Sequence, residues 1–223
     1  MKTPNYPHPI LAKEGWPFIA VSVLITLVSF MYFGIFFSIL CLIISIFIIQ
    51  FFRDPARSLP HDFDNHSIVS PADGKIVFLG IDTNPYTNQS ALKISVFMNV
   101  FNVHSNRCPI DGNIEAIHYF EGSFLNASLD KSSLQNERNA VILNTKTGHN
   151  ITFVQIAGLV ARRILCYAKV GDALSVGQRY GFIRFGSRVD VYLPAAAIAK
   201  VQLGQKVSAC SSLLAQLPPI IQI

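Results

Sequence analysis

Charge is what this sequence has least of. Only 14% of its 223 residues are charged, against 51% hydrophobic, and residues 15–52 carry no charge at all. So long an uncharged stretch excludes a surface helix, which needs a polar face, and it is too long for the buried helix of a small domain. Paired cysteines are also missing. Cys41, Cys108, Cys166 and Cys210 stand alone, with no C-x-x-C spacing, which excludes a zinc site and a disulfide scaffold and suits a reducing compartment. The formal charge is +5, but Lys and Arg are scattered. Without a basic stripe interleaved with aromatics, a nucleic-acid partner is not expected. No small-residue cleavage site follows the apolar run, which also exceeds a signal's core, so a secretory signal is set aside.

What is present at the N-terminal end is the run "WPFIAVSVLITLVSFMYFGIFFSILCLIISIFIIQFF". A membrane crossing takes ~20 apolar residues in a helix. The run is too long for one upright helix and long enough for two short ones turning near Tyr32 and Gly34. Lys2, Lys13 and Glu14 precede it, and Arg53, Asp54 and Arg57 follow. The positive-inside tendency then puts both ends in the cytoplasm. The predicted organisation is a cytoplasmic segment over 1–15, a membrane anchor over 16–52, a proline-bearing linker over 53–66 and a β-rich domain over 67–223. A single tilted span and an in-plane insertion are the alternatives. A mild positive balance beside an anchor suits an anionic membrane face, where each nearby Lys or Arg contributes ~1 kcal/mol.

From residue 67 onward short β-type runs follow one another, among them "GKIVFLG", "LKISVFMNVFNVH", "NAVILNT", "NITFVQIAG", "YGFIRFG" and "RVDVYLP". Turn signals such as "PIDGN", "TKTGHN" and "KVGDALSVGQ" separate them. Strands at that density predict an all-β sandwich or barrel, with "NTKTGHNITF" as a hairpin. Only "FLNASLDKSSLQNERN" reads as helical or irregular. The stretch "KVGDALSVGQRYGFIRFGSRVDVYLP" resembles the β-sandwich of biotinyl and lipoyl carriers. The modifiable lysine of those carriers is absent, so the architecture is expected without the carrier function.

Three motifs and one bond carry candidate chemistry. "SPADGKI" (70–76) is a turn entering a strand, with Asp73 suited to the turn. "FMNVFNVHSNRCPIDG" (97–112) places His104 at a strand end ahead of Arg107. "NERNAV" (136–141) opens a strand with Asn136, Arg138 and Asn139. Gly186 and Ser187 sit inside what otherwise reads as one continuous strand, where a glycine marks a bulge or a close approach to the backbone. A serine hydroxyl needs an adjacent base to act as a nucleophile, and a histidine oriented by a carboxylate is the usual supply. Ser187, His104 and Asp73 provide one of each.

Together, "SPADGKI", "VFMNVFNVHSNRCPIDG", "NERN", "QIAGLVARRI" and "GQRYGFIRFGSRVDVYLP" resemble the phosphatidylserine decarboxylase family in its short-chain branch, in order over residues 67–194. The resemblance implies an inactive proenzyme that cuts its own backbone between Gly186 and Ser187, with Gly186 small so that the hydroxyl reaches its carbonyl. His104, oriented by Asp73, would take the Ser187 proton. The amide becomes an ester, and elimination and hydrolysis leave a β chain, 1–186, and an α chain, 187–223. The α chain then begins with a covalent pyruvoyl group made from Ser187, the only cofactor implied, and no metal is expected. The serine amine of the lipid forms a Schiff base with it, carbon dioxide leaves, and His104 returns a proton to give phosphatidylethanolamine. Arg107, Arg138 and Asn136 are the substrate-binding candidates, with Asn139 behind them. The implied partners are a membrane phospholipid and the two chains' own association, at the cell membrane with the catalytic domain on the cytoplasmic side. Homo-oligomerisation stays open.

The chain departs from longer bacterial members at two points. It reads Phe-Gly-Ser-Arg over 185–188, where they carry Leu-Gly-Ser-Thr. Phe101 stands where they tend to have a second histidine, so His104 is expected to serve both proton transfers. Three rival readings follow from the same residues: a decarboxylase of an archaetidylserine-type lipid, an uncleaved carrier-like membrane module, and a serine hydrolase acting on an external ester.

Overall fold

The computed structural model describes residues 10–127, 132–158, 163–184 and 187–219. Two compact units divide the chain, Tyr6–Ala56 and the part from Arg57 onward. In the first unit, helix α1 (Trp16–Tyr32) and helix α2 (Ile35–Phe51) are separated by Phe33 and Gly34. Neither helix has an internal Gly or Pro; Pro17 falls in the first turn of α1, where its missing N–H costs no hydrogen bond. Their packing is inverted relative to a soluble helix. The residues turned inward are small and mostly hydroxylic, Ser22, Thr26 and Ser29 on α1 and Ser38, Cys41 and Ser45 on α2. Thr26 Oγ1 and Ser45 Oγ meet at 2.9 Å, while Leu24 and Phe36 are 61% and 87% exposed. The helical stretch Lys13–Tyr32 is long and apolar enough to cross a membrane, and Ile35–Phe51 is shorter.

The second unit is mostly β. Its strands are β1 (Ser67–Val69), β2 (Gly74–Asn84), β3 (Gln89–Met98), β4 (Ser105–Arg107), β5 (Gly112–Phe120), β6 (Arg138–Thr145) and β7 (Asn150–Ile156). They continue with β8 (Ile164–Cys166), β9 (Ala173–Leu174), β10 (Arg179–Ile183), β11 (Ser187–Pro194), β12 (Ile198–Ala199), β13 (Lys206–Val207) and β14 (Leu213–Gln216). An eight-stranded sheet runs β13-β2-β3-β11-β7-β6-β5-β9, with two three-stranded sheets, β4-β10-β8 and β1-β14-β12. The sandwich-or-barrel expectation resolves into one large antiparallel sheet with two small ones. The hairpin at "NTKTGHNITF" is present as β6 and β7, turning through Gly148 at φ 81°, which a side chain tolerates poorly. The segment read as helical or irregular contains one short turn of helix, α3 (Ser132–Gln135).

Strand β11 is the middle of the large sheet, paired to β3 on one side and β7 on the other. Its side chains alternate between faces, as a strand's must. Val189, Val191 and Leu193 enter the main core with Ile94, Val96, Met98 and Phe153. Tyr192 joins a second cluster on the other face with Ala91, Ala140, Val154 and Ile156. The small β4-β10-β8 sheet packs on the main-core face, where the Tyr180 and Phe153 rings meet edge-on at 4.8 Å.

Candidate active site

The strand registers bring the candidate residues to one end of the large sheet. Phe97 of β3 faces Arg188 of β11, Arg188 faces Ile156 of β7, Ile156 faces Arg138 of β6, and Arg138 faces Phe120 of β5. Ser187 lies one residue beyond that row, opposite Met98. Asp73 immediately precedes β2, His104 precedes β4, and Asn136 and Glu137 precede β6. Segments far apart in sequence therefore converge because their strands end together.

Ser187 is fully buried. Its Oγ points to Met98 Sδ at 4.0 Å. A thioether is a weak acceptor, so this contact positions the hydroxyl without locking it in a strong bond. Met98 Sδ also faces Asn106 Nδ2 at 4.0 Å. Asn106 Oδ1 accepts from Gln155 Nε2 at 2.8 Å, and Gln155 Oε1 accepts from Asn139 Nδ2 at 3.1 Å. A buried polar chain thus crosses from β4 to β7 and β6 just behind the serine. Gly181 makes room for it: a Cβ there would stand 2.5 Å from both Gln155 Nε2 and the Leu165 carbonyl. Phe185 and Gly186, and with them the bond expected to break, lie outside the described residues.

His104 is buried at the head of β4. Its carbonyl accepts from the Ile183 amide at 3.3 Å, which ties it to the strand leading towards residue 187. The ring lies 6.4 Å from Phe182, centre to centre. Nδ1 is 2.9 Å from the Asn102 carbonyl. A carbonyl only accepts, so Nδ1 carries the proton, and in the neutral ring Nε2 is the basic nitrogen.

The expected orientation of His104 by Asp73 is not what the fold provides. Asp73 Oδ2 takes Arg57 Nη2 at 2.6 Å, and Oδ1 takes the Ala209 amide at 2.8 Å. Among the described residues Asp73 makes no bond to His104. The Asn102 carbonyl, two residues upstream, does the orienting. Asp73 instead fastens the linker and the segment after β13 to the start of β2.

The substrate-binding candidates separate in the same way. Arg107 is fully buried, with Nη1 on the Gly177 carbonyl at 3.4 Å. Burial lowers its pKa to about 10. It lies inside the fold, as Ser187 and His104 do. Asn136 is buried and its amide is engaged by backbone: Oδ1 accepts from Leu125 N–H, and Nδ2 donates to the Leu125 and Ala157 carbonyls. It fastens two loops. Asn136→Ala is expected to destabilise the unit by about 2–4 kcal/mol, on roughly 1 kcal/mol per lost buried bond, and to speed hydrogen exchange over residues 123–127. Thermal denaturation with exchange mass spectrometry checks both. Arg138 is half-buried, with Nε on the Tyr86 hydroxyl at 3.2 Å, Nη1 on the Leu134 carbonyl at 2.7 Å, and its guanidinium 4.3 Å from the Phe120 ring centre. Of the three, Arg138 alone sits at the surface of the site end.

Several residues escaped the sequence reading. Asn102, Asn106, Gln155 and Arg57 act through partners distant in sequence or through backbone, and nothing in their spacing marks them. The buried pair of Arg188 and Asp190 was more legible, since residues two apart on a strand share a face. Burial works against three of the thiols as rival nucleophiles. Burial pushes Cys108 up to about 12 and raises Cys166 and Cys210, which leaves little thiolate at neutral pH. The described residues contain no cluster fit for a metal ion.

Fold and site define a mostly β protein with a buried serine at the head of its central strand and a histidine beside the strand that leads to it. The chain belongs to the phosphatidylserine decarboxylase family, whose model matches residues 44–215. It is 56% identical over 214 residues to a protein of Burkholderia pseudomallei (strain K96243), covering 96% of this chain and 98% of that one. It is 55% identical over 213 residues to one of Paraburkholderia xenovorans (strain LB400), covering 96% and 100%. It is 56% identical over 213 residues to one of Burkholderia vietnamiensis (strain G4 / LMG 22486), covering 96% and 99%. Each of these relatives is named phosphatidylserine decarboxylase proenzyme.

Proposed function

We propose that this chain is a proenzyme that cuts itself between Gly186 and Ser187 and then decarboxylates phosphatidylserine to phosphatidylethanolamine and carbon dioxide. The observation that carries the reading is the burial of Ser187 at the start of the central strand, in a chain whose full-length relatives are named as proenzymes. His104 Nε2 takes the Ser187 proton, with the Asn102 carbonyl holding the ring. The Ser187 oxygen attacks the Gly186 carbonyl, and elimination followed by hydrolysis consumes one water and releases one ammonia. A pyruvoyl group at position 187 supplies a ketone that takes the lipid's amine and accepts the electrons left by carbon dioxide.

The residues around position 187 fit such a group. A small ketone would take the place of the serine side chain against Met98, at a position that is buried. Arg138 is the candidate for the lipid phosphate as the least enclosed of the three. It shares the face of Arg188, opposite Ser187, so it would meet a phosphate at the sheet's end rather than beside the ketone, where a guanidinium can bind it bidentately. Phe101 and Leu134, 64% and 58% exposed at the same end of the sheet, form an apolar rim for a substrate delivered from a lipid surface.

The inward-turned serines and threonine of α1 and α2, with large apolar side chains outward, support a membrane hairpin, since small residues let helices approach closely in lipid. On that reading both ends of 16–52 and the catalytic unit lie on the cytoplasmic side. Turns at Gly171 and Gly177, with φ 90° and 74°, support the carrier-like architecture ahead of β10.

The test is the intact mass of purified protein together with carbon dioxide release from phosphatidylserine vesicles. The reading requires two chains, the smaller equal to residues 187–223 less one ammonia, and decarboxylation. A single unmodified chain in a folded sample overturns it. Asp73→Asn separates the two roles weighed for Asp73. Asparagine keeps an acceptor for the Ala209 amide and loses only the charge paired with Arg57, so self-cleavage is expected to slow less than tenfold. A carboxylate that orients a catalytic histidine would instead give a loss nearer 10⁴-fold. A gel time course decides between them.

A further inference from the structure

Arg188 and Asp190 form a buried ion pair on β11, directly behind the bond that is proposed to break. Arg188 Nε meets Asp190 Oδ1 at 2.6 Å and Nη2 meets Oδ2 at 2.8 Å. Nη1 donates to the Ala127 carbonyl at 3.3 Å. The two side chains are 0% and 1% exposed. By strand alternation they occupy the face opposite Ser187, where Arg188 is in register with Ile156 and Phe97.

A buried ion pair is a poor device for stability alone, because desolvation offsets most of the attraction and well-packed apolar residues do as well. What it supplies is direction. A bidentate fork on a carboxylate fixes two side chains, and the strand between them, in one geometry. That geometry matters here for a specific reason. In the intact chain residue 187 is tethered from both sides; after cleavage it becomes a chain end, and chain ends fray.

We propose that the fork of Arg188 on Asp190, anchored to the Ala127 carbonyl, is a clamp that keeps the newly made end of β11 in register once its covalent tether is gone. Arg188 is thus a positioning residue for the reactive group at 187, and it acts in the cleaved enzyme rather than in cleavage. The inference rests on the self-cleavage reading above.

The experiment compares the wild type with Arg188→Met/Asp190→Leu, which removes both charges and leaves neither buried alone. Each is made with Ser187 intact and in the uncleaved Ser187→Ala background. Hydrogen exchange is followed over residues 187–194, and kcat and KM are measured on phosphatidylserine vesicles. In the cleaved form the double variant is expected to exchange at least tenfold faster over those residues. In the uncleaved background the change is expected to stay within twofold. Self-cleavage proceeds, kcat falls 10- to 100-fold, as a small misplacement of a reacting group does, and KM changes little. Arg188→Lys, which keeps the charge and loses the fork, falls between. Equal exchange changes in the two backgrounds, or an unchanged kcat in a fully cleaved double variant, overturn the clamp while leaving the decarboxylase standing. If the double variant does not fold, Arg188→Lys alone decides on the same readouts. A failure of the decarboxylase reading shows separately, as a wild type that stays whole.

Discussion

Ser187→Ala leaves a single chain of full mass with no decarboxylase activity. The expected loss is complete rather than partial, because the substitution removes both the nucleophile for backbone cleavage and the atoms from which the ketone is made. The fold is expected to survive it. Among the described residues the hydrogen-bond partner of Ser187 Oγ is a thioether, so its removal strands no strong partner there, and alanine fits the same strand position. Thermal unfolding within a few degrees of an uncleaved reference, with mass spectrometry showing one chain, is the required pair of results. Two chains from the alanine variant would mean that another residue cuts the backbone and would end the reading. Activity from a whole chain would move the chemistry away from position 187.

His104→Gln slows self-cleavage by about 10²–10⁴-fold, the range for losing a positioned general base. Glutamine keeps much of the ring's volume beside Phe182, so the variant tests proton transfer more than packing. The ring's orientation predicts which nitrogen matters. With Nδ1 donating to the Asn102 carbonyl, Nε2 is the base, and an amide cannot take its place. Imidazole added to a folded His104→Ala chain is expected to restore part of the cleavage, since the cavity left is the shape of the missing ring. A variant that cleaves at the wild-type rate would assign His104 to structure alone. Cleavage at the normal rate followed by a slow decarboxylation would confine it to the later proton return.

The candidate site was legible only in part, and particular residues say why. Asp73, His104 and Ser187 each stood out as a residue type that chemistry uses, in motifs with strong turn or strand signals. Their mutual geometry was not readable. Asp73 takes Arg57 from the linker and the amide of Ala209, 136 residues away, partners that no local pattern announces. Asn136 looked like a polar ligand and is a fastener, because a buried amide bonds whatever backbone the loops present. Arg107 looked like an anion site and is enclosed, since one residue of register decides which face of a strand a side chain takes.

The sequence by itself determined three things. The uncharged run over residues 15–52 dictates helices with apolar exteriors, because it holds no charged side chain to turn outward. The alternation and turn residues beyond residue 67 dictate strands. The motif around Gly186 and Ser187 dictates the family. What only the tertiary structure decided is which distant segments end together: the row from Phe97 through Arg188 and Arg138 to Phe120, the Asn102 carbonyl on His104, the polar chain behind Met98, and the fork of Arg188 on Asp190 anchored to Ala127. Strand order and register are set by the packing of both sheet faces at once, a long-range property that no short window of sequence contains.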